Sequence, residues 1–225
     1  MQLKDYIVEY PNVLSPEVCA SIISKFDADD RKFSGVMGSD KRLNTDVKDS
    51  TDLFISGISG WEEEDTTIFG IVNKYMNQYR DYIIENKGIY TNTYKAIGLN
   101  IGEVSDTGYQ IQKTDIGGKY IIHNDSSIRP YKNIYQYEGK DYFLYDERQY
   151  TFILYLNDRS GLENGRTVFY LGDEEIEVEA EPGKILFFPA DKYFPHAGEP
   201  LTEGVKYLIT GWTSCLGYYP LENAK

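Results

Sequence analysis

Val205-Lys206-Tyr207-Leu208-Ile209-Thr210-Gly211-Trp212 reads as a β-strand with no solvent face. Side chains alternate across a strand, so Val205, Tyr207, Ile209 and Gly211 share one side and Lys206, Leu208, Thr210 and Trp212 the other. Both sides are largely apolar, the pattern of a central strand covered on both faces. Lys206 breaks the pattern. An unpaired ammonium in such an interior costs several kcal/mol or loses its proton, so Lys206 needs an anionic partner. A lysine that snorkels out at the strand start, or one that pairs with a protein carboxylate, would be the plainer solution.

Outward from this strand the same texture recurs. Residues 94–102, 109–114, 119–124, 149–156, 166–171, 175–179 and 184–188 are short β-branched and aromatic runs between Gly, Asp, Asn and Pro turns. With 205–213 they make eight expected strands. Two helices precede them. Ser15-Pro16-Glu17 supplies a cap, a proline suited to the first helical position and an acid at the positive helix end. Val18, Ile22, Ile23 and Phe26 then recur at helical spacing. A second apolar face, Ile68, Ile71, Val72, Tyr75, Tyr79, Tyr82 and Ile83, predicts a helix from about Asp65 to Asn86, with Gly88 as its stop.

The expected fold is α+β and mainly β: a double-stranded β-helix, or jelly roll, with N-terminal helices packed on one sheet. No repeat or linker divides the chain, so 1–225 reads as a single domain, with a helical support region at 1–90 and the roll at 91–215. Residues 30–60 read as loops with a short strand. Residues 126–148 read as a long, polar, Tyr-rich connection of the kind that serves as a lid or binding loop.

The formal charge of -13 disfavours nucleic acid and anionic membranes as partners and tolerates a basic peptide or a neutral small molecule. Cys19 and Cys215 form neither a metal spacing nor a disulfide framework. With no signal-peptide pattern and no apolar run of transmembrane length, the expectation is a soluble cytoplasmic protein.

The chain has only two histidines. His123 stands in Ile121-Ile122-His123-Asn124-Asp125, where strand alternation points His123 and Asp125 the same way. His196, in Phe194-Pro195-His196-Ala197-Gly198, is distant in sequence, but a closed antiparallel roll can bring it to the same face. Two imidazoles and one carboxylate leave open positions on a metal, which suits Fe(II) oxygen chemistry. HxD alone occurs often by chance, and zinc competes for any such set. Lys206, ten residues after His196, raises the odds. A dicarboxylic acid that chelates the metal at one end would meet Lys206 at the other.

Taken together, His123-Asn124-Asp125, His196 and Lys206 resemble the prolyl 4-hydroxylase-like branch of the Fe(II)/2-oxoglutarate dioxygenases. Gly117-Gly118-Lys119-Tyr120, Tyr155-Leu156-Asn157 and Pro182-Gly183-Lys184-Ile185-Leu186-Phe187-Phe188 extend the likeness over roughly 94–214. The resemblance implies Fe(II) held by His123, Asp125 and His196, with 2-oxoglutarate and O2 as co-substrates and ascorbate as an accessory. It implies that Lys206 and Tyr155 bind 2-oxoglutarate and that Thr210 and Trp212 line its pocket. A tyrosine common in the family nine or ten residues before the HxD histidine is absent. Those positions are Thr114 and Lys113, so Thr114, Tyr109 or Gln112 would have to substitute.

The reaction implied is hydroxylation of an unactivated C–H bond with release of succinate and carbon dioxide. Asp125 argues against halogenation, which needs the carboxylate position vacant for halide. Peptidyl proline is the first reading of the substrate, with Arg129 and Tyr131 as candidate contacts to a peptide or protein. A free amino acid or small metabolite is the second reading. A non-catalytic jelly-roll module that binds sugars or partners is the reading from a different class.

Overall fold

The computed structural model describes residues 2–36, 42–87, 105–162 and 164–220. After a 3-10 turn at Leu3–Tyr6 come β1 (Val8–Tyr10), α1 (Pro16–Ala28), β2 (Phe33–Ser34), β3 (Thr51–Phe54) and α2 (Glu62–Lys87). The β-rich part follows: β4 (Ser105–Thr114), β5 (Tyr120–His123), β6 (Ile128–Tyr137), β7 (Lys140–Tyr155), β8 (Thr167–Leu171), β9 (Glu174–Val178), β10 (Ile185–Pro189), β11 (His196–Gly198) and β12 (Lys206–Pro220). The expected strand at 94–102 and the helix stop at Gly88 lie outside the described residues.

Two antiparallel sheets carry these strands. The larger has eight strands in the order β1-β10-β7-β12-β4-β3-β2, with β6 added on β7. The smaller has the order β5-β11-β8-β9. From β4 onward the chain changes sheet at most of its connections, as the double-sheet expectation requires.

β12 is the central strand its sequence describes. It pairs β7 on one side and β4 on the other, with Ile209 opposite both Leu154 and Ile111. Tyr207 and Ile209 face the helices. They share one hydrophobic core with Cys19, Ile22 and Phe26 of α1 and with Ile68, Val72, Met76, Tyr79 and Ile83 of α2. Phe26 meets Tyr207 edge to face with centroids 6.0 Å apart, and Tyr79 stacks on Phe187 at 5.6 Å. Tyr79 spends its hydroxyl on the Tyr6 carbonyl at 2.8 Å, so a wholly buried ring leaves no polar group unmet. At Gly211 a Cβ would press into the Phe152 ring and the Gly108 carbonyl, so glycine lets β12 seat closely on its neighbours.

Helix starts follow local chemistry. The Val18 amide donates to Ser15 Oγ at the α1 cap. α2 begins three residues earlier than its apolar period indicates. Glu62, Glu63, Glu64 and Asp65 fill its first turn, where acids favour the positive helix end without showing in the hydrophobic pattern. Among the described residues no helix is long and apolar enough to cross a membrane.

The reading of 126–148 as a loop is corrected. β6 and the first half of β7 form a hairpin, with Tyr137 opposite Lys140. Its two turn residues, Glu138 and Gly139, both have positive φ (48° and 72°), the type I′ pattern that matches strand twist. Glu-Gly is a weaker turn signal than Asn-Gly, so the alternation around it reads as a polar connection. Beyond Thr213, β12 continues to Pro220 against this ribbon. The three-residue β11 is too short to show a period, and it too is missed.

The N-terminal region is latched to the roll at Gly183, whose carbonyl accepts from the Val13 amide at 2.7 Å. Gly183 has φ +75°, and a Cβ there would fall on the Leu14 carbonyl. Gly183→Ala is therefore expected to cost about 2 kcal/mol or more in denaturant unfolding, from backbone strain and a clash with main chain that cannot give way.

Candidate metal centre and cavity

β5 and β11 are partners, and their register sets His123 directly opposite His196. The two rings lie 4.3 Å apart between centroids. Each imidazole bonds a main-chain carbonyl through Nδ1: His123 to Ile121 at 2.9 Å and His196 to Phe194 at 3.0 Å. Nδ1 therefore carries the proton as donor, and the Nε2 lone pair is left for a metal. Both Nε2 atoms approach the Asp125 carboxylate, His123 at 3.8 Å from Oδ1 and His196 at 3.7 Å from Oδ2. One ligand atom from each of the three residues lies within 4.8 Å of the others. Thr151, on β7 beneath them, donates to Asp125 Oδ2 at 2.8 Å and fixes the carboxylate.

The electrostatics favour a cation. Burial, with His196 beside it, pulls His123 down to about 4, against the opposing pull of Asp125. Burial alone would raise Asp125, but His196, His123, Thr151 and Arg148 outweigh it and hold the carboxyl below its usual range. Near neutral pH the site offers a neutral His123 imidazole beside an ionised carboxylate, the protonation that metal binding requires.

The triad lies in a partly open cavity of about 80 Å³. Its walls include Thr114, Thr151, Ile153, Thr167, Lys206 and Trp212. Lys206 is 4% exposed. Its Nζ reaches only Thr167 Oγ1, at 3.4 Å, and no carboxylate pairs with it among the described residues. Burial, helped by the nearby Arg159 guanidinium, lowers its pKa to about 7, with Glu199 opposing. The ammonium neither snorkels out nor finds a protein anion.

The structure gathers most of the expected residues. His123, Asp125, His196, Lys206, Thr114, Thr210 and Trp212 all line the cavity. The Thr210 hydroxyl is committed to the Phe152 carbonyl at 3.0 Å. Tyr155 stands behind the wall: it is fully buried and donates to Thr167 Oγ1 at 2.8 Å, so Thr167 is the residue that faces the cavity. Tyr109 turns away, bonding Asp106 at 2.6 Å, while Gln112 stays on the wall. Arg129 sits exposed on β6, outside the lining, and the Tyr131 side chain lies outside the described ones.

Sequence reasoning missed Thr151, Thr167, Lys48 and Arg148. Thr151 was within reach, since it shares a strand face with Ile153 and Tyr155. Arg148 stacks on Trp212 at 3.6 Å and donates to the Asp125 carbonyl at 3.3 Å. Among the described residues, Arg148 Nε and Trp212 Nε1 are buried without hydrogen-bond partners beside the metal ligands.

Known proteins agree with this geometry. The model of the 2OG-Fe(II) oxygenase superfamily matches residues 109–214, a span that holds the triad and Lys206. Over this span, just under half of its length, the chain is similar to that superfamily. A PKHD-type hydroxylase of Synechococcus sp. (strain CC9902) is 26% identical over 102 residues, covering 45% of this chain. The match spans 39% of that hydroxylase's own length.

Solved structures share the fold of the oxygenase region and its helices. A Trichoplax adhaerens prolyl hydroxylase, in complex with a hypoxia inducible factor oxygen degradation domain peptide fragment, aligns with a TM-score of 0.66 at 15% identity, covering 92% of this chain and 83% of its own. A Pseudomonas putida prolyl-4-hydroxylase gives 0.61 at 18%, covering 92% and 91%. The viral collagen prolyl hydroxylase of Paramecium Bursaria Chlorella virus-1, solved with 2OG, gives 0.56 at 17%, covering 93% and 96%.

The depressed Lys206 pKa has a testable consequence with a definite sign. Between about pH 7 and 10.5 the unfolded chain holds a proton at this lysine that the folded, ligand-free protein does not. The wild type should therefore gain stability relative to Lys206→Met as pH rises through that window. Urea unfolding at pH 7 and pH 9 checks it, and parallel pH profiles would contradict it.

Proposed function

We propose that this chain is an Fe(II)- and 2-oxoglutarate-dependent dioxygenase that hydroxylates an unactivated C–H bond, with peptidyl proline as its substrate. One observation carries the reading: a single cavity has a His/Asp/His donor set at one place and a buried, anion-seeking lysine at another. The donors fit a divalent first-row metal, since two lone-pair nitrogens and one carboxylate leave positions for other ligands. Lys206 fits the far carboxylate of a diacid. A sugar- or partner-binding module has no use for that combination.

Fe(II), 2-oxoglutarate and dioxygen, bound together, supply the oxidising power that places a hydroxyl on carbon. The chain's own residues position and shield. His123 and His196 are held in one tautomer by the Ile121 and Phe194 carbonyls. Thr151 ties down Asp125 Oδ2. Phe169 and Phe188 pack against the His196 ring, with centroids at 5.4 and 4.8 Å, and keep water from that side. Lys206 and Thr167 receive the distal carboxylate, while Tyr155 braces Thr167 from behind.

The substrate choice rests on kinship and on the ribbon beside the site. Prolyl hydroxylases are among the structural neighbours, and one of them holds a peptide. Here β6 is an outer strand carrying exposed Ile128, Ile134, Tyr135 and Tyr137, a surface suited to an extended chain. Arg129, on the same exposed strand, remains a candidate contact. The core that joins α1 and α2 to the large sheet supports reading 1–225 as one oxygenase domain.

His123→Ala and Asp125→Ala are each expected to abolish 2-oxoglutarate-dependent succinate release from iron-loaded protein. Turnover that survives either change would refute the assignment. A panel of proline-containing peptides screened by mass spectrometry should yield a product heavier by one oxygen.

Lys206→Ala should raise the KM for 2-oxoglutarate about tenfold or more, with a smaller effect on kcat. Only the protonated amine meets the distal carboxylate. The wild-type KM for 2-oxoglutarate should therefore climb above pH 7, by up to about tenfold per pH unit.

A further inference from the structure

A second buried lysine lines the same cavity, and neither the metal triad nor the distal carboxylate accounts for it. Lys48 is 4% exposed. It lies on a short segment that pairs with β5. Lys48 bridges Tyr120, the Asp49 amide donates to the Lys119 carbonyl, and the Ile121 amide donates to the Val47 carbonyl, both at 2.9 Å. This pairing sets Lys48 on the His123 side of the cavity. The Tyr120 ring stacks on the His123 imidazole with centroids 3.5 Å apart, and the Lys48 ammonium is 5.5 Å from the centre of the Tyr120 ring.

Its hydrogen bonding is lopsided. Among the described residues its one oxygen acceptor is Asp52 Oδ2, at 2.6 Å. Asp52 is well supplied, since Ser50 donates to Oδ1 at 2.8 Å and Gln110 donates to Oδ2. The carboxylate thus has three donors, while the ammonium has three N–H groups and one acceptor. A buried cation left short of acceptors at a cavity wall is a place for an anion or a carbonyl oxygen.

Lys119 also lines the cavity, and Trp212 Nε1 and Arg148 Nε stand unpartnered near the metal ligands, but among the described residues Lys48 is the buried lysine on the His123 side. Lys113 turns outward to Asp115 at 3.4 Å and Asp27 at 4.0 Å, and Thr114 offers only a short hydroxyl.

Resting on the oxygenase reading, we propose that Lys48 recognises the 1-carboxylate of the 2-oxo acid, the end that lies at the metal. Lys206 recognises the other end. The cavity then has one buried ammonium for each carboxylate of its co-substrate, and the Asp52–Ser50–Gln110 cluster keeps Lys48 aimed.

Calorimetry on full-length, Mn(II)-loaded protein without oxygen tests this independently of turnover. The probes are 2-oxoglutarate and 2-oxobutanoate, a monoacid that keeps only the metal-binding end. Lys48→Met is expected to weaken both acids by about tenfold. Lys206→Met should weaken 2-oxoglutarate and leave 2-oxobutanoate near the wild-type value.

Since Lys48→Met strands Asp52 in the interior, the double variant Lys48→Met/Asp52→Asn removes the pair together and should show the same twin loss. If either Lys48 variant binds 2-oxobutanoate as tightly as the wild type, the assignment of Lys48 is overturned and the oxygenase reading stands. If the wild type binds neither acid, the oxygenase reading falls and this inference falls with it.

Discussion

The cost of burying the Lys206 ammonium organises much of this molecule. β12 has helices on one side and a cavity on the other, so every side chain it carries must suit an interior. On the helix side Tyr207 and Ile209 join the core. On the cavity side Lys206 stands where desolvation penalises charge and where the Arg159 guanidinium adds repulsion. A protein that needed only stability would place leucine there. The cation is tolerable because Thr167 offers an oxygen and because a diacid can supply the missing charge.

The metal centre shows the same economy in reverse. Strand register brings the two imidazoles together, and Asp125, two residues past the end of β5 and held by Thr151, lies within 4 Å of both. Their other polar atoms are already committed: both Nδ1 atoms to carbonyls and one Asp125 oxygen to Thr151. What remains free is the set of lone pairs that a cation requires.

Much of this was legible in the sequence, and the failures have specific causes. The alternation of Val205–Trp212 announced a doubly covered strand, and the HxD on a strand with a second histidine near another announced the triad. The β6–β7 ribbon was not legible, because its Glu138-Gly139 turn is a weak signal and its tyrosines suit a solvated loop as well as a strand. Tyr155 was read on the correct face, but period-two reasoning cannot tell a wall residue from one that braces the wall through Thr167. Lys48 had no local signal at all. Its meaning comes from a pairing with β5 that spans some seventy residues, and only the folded chain reveals it.

The two halves of the cavity belong to different sheets, and that fact bears on selectivity. His123 and His196 come from the four-stranded sheet, while Lys206, Thr210 and Trp212 come from the eight-stranded one. Facing sheets keep a separation of about 10 Å that side-chain packing enforces. The Lys206 side chain crosses this gap to Thr167 on β8, next to β11, so the place of its ammonium relative to the histidines is fixed by paired strands and not by a flexible loop. The α1 and α2 layer stiffens the large sheet from outside, and the Gly183 latch holds the N-terminal region to it. If Lys206 takes the distal carboxylate as proposed, a diacid one methylene shorter would leave the buried ammonium without its partner, and a longer one would have to buckle.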